Sequence, residues 1–407
     1  MNKTYDVMIV GAGVIGSALA LALSKQGYSI ALLDIQSPSF APTNPERVIA
    51  LSEGSKRYLE SLDVWDAVLA HGAGWIKHIA VREPNNIGVL DMSHQELDSD
   101  ALGYVLEIRH VVEPLHQALA QYFEQVDMIF PAQCLAINQD EAGVSLHIKT
   151  KSGEQTLQAS LLVGADGTNS FVRKQAGILT SGWDHNRMGL VASVSAGYGH
   201  GDTAYECFRE EGPLALLPLA DGRFSIVWSV APKTAMELLK LDDAGFLNML
   251  KTEAGDAITQ QVGGFKAVGK RASFPLELRI AKQFAKANVV LLGNAAHTIH
   301  PIAGQGMNLG LRDVAVLADV LAQAWAKGDL RKPLIGQTYA ERRRLDTLAV
   351  AGFTEAVLEA FATPVSSLSP KRWLRGMGLN TMEKTPALKH ILLEQAAGLG
   401  QIKGLSL

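Results

Sequence analysis

Two histidines, His297 and His300, stand three residues apart in the stretch GNAAHTIHPIAGQG (Gly293–Gly306). On a helix that spacing puts both rings on one face, and paired imidazoles can hold a metal. A metal needs three or four ligands, and no nearby cysteine, histidine or acid supplies the rest, so none is expected. The same stretch offers another chemistry. It follows the apolar run NVVLL (Asn288–Leu292), a candidate buried strand, and ends in Gly304-Gln305-Gly306 at the mouth of a helix. Backbone N–H groups there, from Gly304 through Gln305, Gly306 and Met307 to Asn308, would form a positive pocket. A flavin needs such a pocket, because reduction puts negative charge on the pyrimidine edge of its ring.

Two more glycine-rich segments follow apolar runs. Gly11-Ala12-Gly13-Val14-Ile15-Gly16 comes directly after DVMIV (Asp6–Val10). Glycines there permit a tight turn and the close approach of a pyrophosphate to a helix N-terminus. Asp34 closes the next apolar run, SIALLD, and suits the two ribose hydroxyls of an adenosine. With both strands and the acid in place, the motif points to a dinucleotide. LLVGADGTNSFVR (Leu161–Arg173) repeats the strand-to-glycine form with Asp166 at its turn. By itself it reads equally well as an ordinary Asp-Gly turn.

The elements that must carry these residues alternate β-α-β at the start of the chain and turn β-rich later. Residues 186–285 read as an antiparallel sheet, with ADGR (Ala220–Arg223) as a hairpin turn. Met307–Trp325 and most of Arg331–Leu407 read as helix. The 407 residues are 47% hydrophobic and 19% charged, with a net charge of −4. That balance leaves no basic footprint for nucleic acid. Cys134 and Cys207 form no C-x-x-C pair, and a reducing compartment fits. The uncharged stretch Val7–Ser24 resembles a signal peptide or a membrane span, but its three glycines fit a strand, turn and buried helix better.

In this order and spacing the motifs resemble the class A flavoprotein monooxygenases of the para-hydroxybenzoate hydroxylase fold. Within that class the chain looks like the ubiquinone-biosynthesis hydroxylases. The resemblance is carried by RVIALSEGS (Arg47–Ser55), GPLALLPLADGRFSIVW (Gly212–Trp228), GKRASFPLEL (Gly269–Leu278) and GNAAHTIHPIAGQGMNLGLRDV (Gly293–Val314), within residues 5–345. It implies an α/β fold: a Rossmann-like FAD-binding domain of the GR2 type, an antiparallel β-sheet substrate domain and a helical C-terminus. The FAD domain would comprise residues 1–75, 107–182 and 286–330, the substrate sheet 76–106 and 183–285, and the helical region 331–407.

The family implies FAD, with NAD(P)H and O2 as co-substrates. Gly11, Gly13 and Gly16 would hold the pyrophosphate, Asp34 the ribose, and Arg47, Arg109 and Asp166 further parts of the cofactor. Asn294 stands where most of the class has Asp; its side-chain oxygen can still accept the ribityl hydrogen bond. Pro301 would lie beside the flavin ring, with the Gly304–Asn308 amides at its pyrimidine edge. The implied reaction is aromatic hydroxylation through a C4a-hydroperoxyflavin, converting 2-polyprenyl-6-methoxyphenol to the benzoquinol; a hydroxylase of a sister ubiquinone step or of another phenol is the alternative. Such chemistry needs a dry pocket, for which Leu216, Pro218 and Trp228 are the candidates. Deprotonating the phenol could fall to His300 or to a bound water. A reductase or a non-catalytic assembly subunit is the rival within the fold.

A polyprenyl phenol partitions into membranes. A cytoplasmic protein in peripheral contact with the inner membrane face is therefore expected, with PKRWLRGMGL (Pro370–Leu379) as an interfacial candidate. That helix could instead pack on its own domain or on a sister subunit. Other ubiquinone-biosynthesis enzymes are the further partners the family suggests.

Overall fold

The computed structural model describes residues 3–43, 46–83, 88–140, 143–209, 211–326, 332–362 and 370–399. The β-α-β unit opens the chain. β1 (Thr4–Val10) and β2 (Ile30–Leu33) pair in parallel from Val7–Ile30 to Val10–Leu33, and α1 (Val14–Ser24) crosses between them. All of β2 and nearly all of α1 are buried. A helix closed in on every side must be apolar on every side, so Val7–Ser24 imitates a membrane span. No helix among the described residues is long and apolar enough to cross a membrane.

The first sheet runs β18 (Ala285–Lys286), β19 (Val289–Leu291), β11 (Gly153–Gly164), β1, β2 and β8 (Val126–Ile129). A hairpin of β9 (Gln133–Asp140) and β10 (Gly143–Thr150) extends from β11. From β19 to β8 the strands are parallel, and α4 (Ile108–Leu119) and α8 (Gln305–Ala326) pack beside α1.

The second sheet runs β20 (His297–Thr298), β17 (Ala272–Ala281), β12 (Thr180–Ala196), β15 (Phe224–Val230), β14 (Leu214–Pro218), β13 (Thr203–Cys207), β5 (His78–Arg82) and β6 (Val89–Ser93), with β16 (Phe265–Val268) on β12. It is antiparallel except where β13 meets β5. The ADGR turn closes β14 onto β15, with Leu219 N–H donating to Arg223 O at 2.8 Å. A small third sheet, β3 (Val48–Ser52), β7 (Gly103–Glu107) and β4 (Gly74–Ile76), bridges the two. Ser52 ends β3 and caps α2 (Glu53–Ser61).

Both faces of the second sheet are covered. Leu190, Leu216, Phe224, Ile226 and Trp228 pack against Phe246 and Leu250 of α7 (Asp243–Gln261) and Leu238 of α6 (Pro232–Lys240). On the opposite face, Val81, Phe208 and Leu217 cluster with Ile302 and with Phe361, Leu379 and Leu393. Those last three belong to α9 (Lys332–Ala362), α10 (Pro370–Lys384) and α11 (Pro386–Ala396).

Candidate active site

β1, β11 and β19 end side by side, with Val10 opposite Gly164 and Gly164 opposite Leu291. The three glycine-rich exits therefore meet at the carboxyl ends of the strands, where open α/β sheets bind ligands. Two kinds of glycine stand there. At Gly11 (φ 108°) a Cβ would lie 2.3 Å from the Ala165 carbonyl oxygen, and at Gly16 it would lie 1.8 Å from that of Gly11. These glycines are forced by close packing. At Gly13, Gly167 and Gly306 a Cβ would meet nothing within 4 Å. Bare backbone facing open space at the mouths of α1 and α8 fits an anionic, phosphate-bearing group, and FAD matches that demand.

The first exit is braced from outside its own motif. Ser17 Oγ and His116 Nε2 both reach the Ala12 carbonyl, at 3.1 and 3.0 Å. Burial lowers the His116 pKa, which favours the neutral ring. Asp34 stands just past β2, where Ala12 N–H and Gln36 N–H each donate to its carboxylate at 2.9 Å. It remains partly accessible, with lone pairs left for hydroxyl donors.

Ser170 caps the short helix α5 (Phe171–Gln175), and Asp166 braces that cap, accepting from Ser170 Oγ and, at 3.0 Å, from Val172 N–H. Burial pushes its carboxyl up, against those bonds. Arg173, buried, donates to Ala295 O at 2.8 Å and to Thr168 O at 2.7 Å, tying the second exit to the third. Arg47 is exposed beside α4, where Ile108 N–H donates to its carbonyl at 2.8 Å. Arg109 is held by both oxygens of Glu107, at 2.8 and 3.2 Å, an arrangement that competes with any cofactor contact.

The third exit separates the two histidines. His297 Nε2 meets Asp313 Oδ2 at 2.6 Å, and the same oxygen accepts from Gly293 N–H at 2.9 Å. Asp313 Oδ1 takes Arg343 Nε at 2.6 Å. Burial would raise the Asp313 carboxyl, but His297 and Arg343 outweigh it and hold it below the usual range. His297 is thus a brace between the glycine loop and α8. Asn294 is exposed at the turn.

Gly304 (φ 62°) places its α-carbon so close to β3 that a Cβ would lie 2.7 Å from Ala50 Cβ. Asn308 clips the same turn: it accepts from Ser52 N–H at 2.8 Å and donates to the Ala50 and Gly304 carbonyls at 3.1 Å. Its side chain is spent on this clip. Gln305, Gly306, Met307 and Pro301 are partly accessible beside it. His300 is buried, and neither ring nitrogen has a hydrogen-bond partner among the described residues. Its ring meets His185 edge-on at 5.4 Å, and His185 Nε2 lies 3.4 Å from Glu355 on α9. Burial drives the His300 pKa down to about 3, so the ring is neutral. Among the described residues no cluster suits a metal.

The pocket residues need correction. Leu216 and Trp228 pack with α6 and α7, on the face turned away from Ile302, and Pro218 follows at the parity of Leu216. Strand alternation gives the other face to Val191, Ala215, Leu217 and Val227, which all keep accessible surface while Leu190, Leu214, Leu216 and Trp228 are closed. Sequence reading chose the wrong parity because GPLALLPL is apolar at nearly every position. His116, Arg173, Asp313 and Arg343 were also missed. Arg173 closes the Leu161–Arg173 segment and Asp313 lies in the Gly293–Val314 motif, but the partners that reveal their roles, Ala295 and Arg343, lie far along the chain.

Comparison with known proteins agrees with this geometry. The FAD binding domain family matches residues 4–353. The 3-demethoxyubiquinol 3-hydroxylase of Escherichia coli (strain K12) is 32% identical over 403 residues, 98% of this chain and 100% of the relative. Ubiquinone hydroxylase UbiL of Rhodospirillum rubrum is 33% identical over 400 residues, 98% of this chain and 90% of its own length. The p-nitrophenol 4-monooxygenase PnpA from Pseudomonas putida DLL-E4 shares the fold, with a TM-score of 0.80 at 20% identity and full coverage of both chains.

Proposed function

The chain belongs to the family of FAD-binding flavoprotein monooxygenases, and from that premise we propose that it hydroxylates the ring of a polyprenyl phenol in ubiquinone biosynthesis. Its substrate would be 2-polyprenyl-6-methoxyphenol, or the phenol of a sister ring position such as the one named for the Escherichia coli relative. Bound FAD would take a hydride from NAD(P)H and pass one oxygen atom of O2 to an electron-rich ring carbon. In balance, phenol, O2, NAD(P)H and a proton give the hydroxylated ring, NAD(P)+ and water.

The observation that carries the reading is the pairing of two surfaces. The open glycines Gly13, Gly167 and Gly306 form a backbone cradle. The half-open face of Val191, Ala215, Leu217 and Val227 lies on the sheet side that clusters with Ile302, next to the cradle's third loop. In that pairing Gly11, Gly13, Gly16 and Asp34 hold the adenosine and pyrophosphate end. The α8 N-terminus supplies positive potential to the flavin ring, and the apolar face keeps water out. His300, neutral and with both nitrogens unspent, offers one donor and one acceptor near Pro301.

A substrate with a prenyl tail calls for contact with a membrane. Exposed Leu345, Leu348 and Phe353 on α9 and Leu388 and Ile391 on α11 support a peripheral docking face. In Pro370–Leu379, Trp373 and Leu374 lie outside the residues whose side chains are described; Met377 is exposed and Leu379 buried.

The test is direct. The purified protein should carry FAD and oxidise NAD(P)H faster with a short-chain 2-prenylphenol, yielding a product heavier by one oxygen. A deletion strain should accumulate 2-polyprenyl-6-methoxyphenol, or the precursor of a sister step. NAD(P)H oxidation with no oxygenated product would sink the hydroxylase reading.

A further inference from the structure

Electrophilic oxygen transfer is helped by a base that draws the proton from the phenol as the ring loses electron density. His300 is a poor store for that proton, because burial holds its ring neutral down to about pH 3. The sheet facing the cradle carries another titratable group. Glu206 lies in β13 between Tyr205 and Cys207, whose side chains point into the core against α6 and α7. Its neighbours at the other parity, Ala204 and Phe208, belong to the cluster that contains Ile302. Its cross-strand partners agree: Ala215 on β14 and Val81 on β5 lie on that same face.

Glu206 therefore stands on the half-open wall, two residues from Phe208, whose ring stacks on Phe361 of α9 at 4.2 Å. The residue is half-buried, as a group on a cavity wall would be. Its side chain has no hydrogen bond or ion pair among the described residues. Glu83, just past β5 at the parity of Val81, is a second buried carboxyl on this side. Arg82 pairs with Asp91, and Arg209 with Glu253 over the Trp228 ring, both at the opposite face. β14 carries no charge. On α9, Glu355 faces His185 and Glu359 is exposed. Burial without a partner pushes the Glu206 carboxyl up to about 7. A buried, unpaired carboxylate is costly, and a fold that keeps one on an open wall has a donor to offer it.

We propose that Glu206 receives the substrate's phenolic hydroxyl, accepting its hydrogen bond and then its proton. The step rests on the reading of the chain as a phenol hydroxylase. The phenol O–H bond breaks, a new O–H bond forms on the Glu206 carboxylate, and the electron pair stays on the phenol oxygen. That charge enriches the ortho and para carbons; the proton leaves to water when the product departs. No oxidant or reductant is consumed in the transfer.

The test compares the parent protein with Glu206→Gln and Glu206→Asp, using a short-chain 2-prenylphenol as probe. E206Q should keep its FAD, its rate of flavin reduction and probe binding within about three-fold of the parent. Hydroxylated product per NAD(P)H oxidised should fall by roughly 100-fold, the low end for a lost general base. The rise of coupling with pH around 7 should vanish in E206Q and return in part in E206D. The deficit should shrink with more acidic phenols. Without turnover, the phenolate absorbance of bound probe should appear at lower pH in E206Q, because no second negative charge opposes it. A variant with parental coupling and pH profile overturns the proposal. So does one that loses FAD together with activity, which would make Glu206 part of the scaffold. A parent that oxidises NAD(P)H without oxygenating any phenol overturns the underlying reading instead, and it is seen before any variant is compared.

Discussion

Gly13 and Gly304 stand at two of the three glycine-rich strand exits, yet replacing them should fail in different ways. Gly13 has ordinary extended backbone, and a Cβ there meets open space. Gly13→Val should therefore melt within about 1 °C of the parent without cofactor, as an uncrowded substitution does. It should bind FAD at least about ten-fold more weakly, since the pyrophosphate needs that space. Gly304 has φ 62° and lies against Ala50. Gly304→Ala should lose about 1–3 kcal/mol from backbone strain alone, read by thermal melting, and lose FAD as a consequence. His300 gives a pH signature. Its folded pKa is depressed from 6.5 to about 3, so the unfolded chain binds a proton that the folded chain refuses. Its contribution to stability is whole above pH 6.5 and declines as pH falls toward 3. His300→Asn should flatten that part of the melting-temperature profile; an unchanged slope would place its cause elsewhere.

At the scale of elements, the N-terminal turn of α8 is positioned by long-range bonds. Asp313 holds Gly293, His297 and Arg343 together, joining the glycine loop, α8 and α9. Asp313→Asn should cost about 3 kcal/mol, because it removes the buried carboxylate shared by His297, Gly293 N–H and Arg343 and leaves Arg343 with Asp346 alone. Chemical denaturation measures that loss, and FAD retention should fall with it. The sequence showed the glycine loop and the helix after it, since strand, turn and helix signals are local. It did not show what locks them, because Arg343 lies thirty residues from Asp313 and no local pattern links the two. The strands of the second sheet tell a similar story. Their existence was legible from β-rich runs and the ADGR turn, but their facing was not. Both faces are covered, so apolar residues occur at both parities and alternation cannot choose between Leu216 and Leu217.

For the whole molecule, the C-terminal helices close the half-open face, with Phe361, Leu379 and Leu393 in its cluster. They also carry apolar residues outward, Leu345 most of all at 78% exposure. The triple variant Leu345→Ser, Leu348→Ser, Phe353→Ser should keep its fold and its activity on a short-chain phenol. It should float less with vesicles of phosphatidylethanolamine and phosphatidylglycerol; equal flotation would sink the membrane contact. The sequence by itself determined the cofactor class and the order of elements, because glycine turns, strand runs and helix mouths are written within about thirty residues of chain. It also offered too few neighbouring ligands beside His297 and His300 to expect a metal. Only the tertiary structure decided that His297 braces a loop while His300 stands unspent, that Leu217 rather than Leu216 lies on the sheet face that clusters with Ile302, and that Glu206 shares that face. Those outcomes depend on which surfaces cover each face of a sheet and which distant side chains meet there, and a one-residue change of parity reverses them.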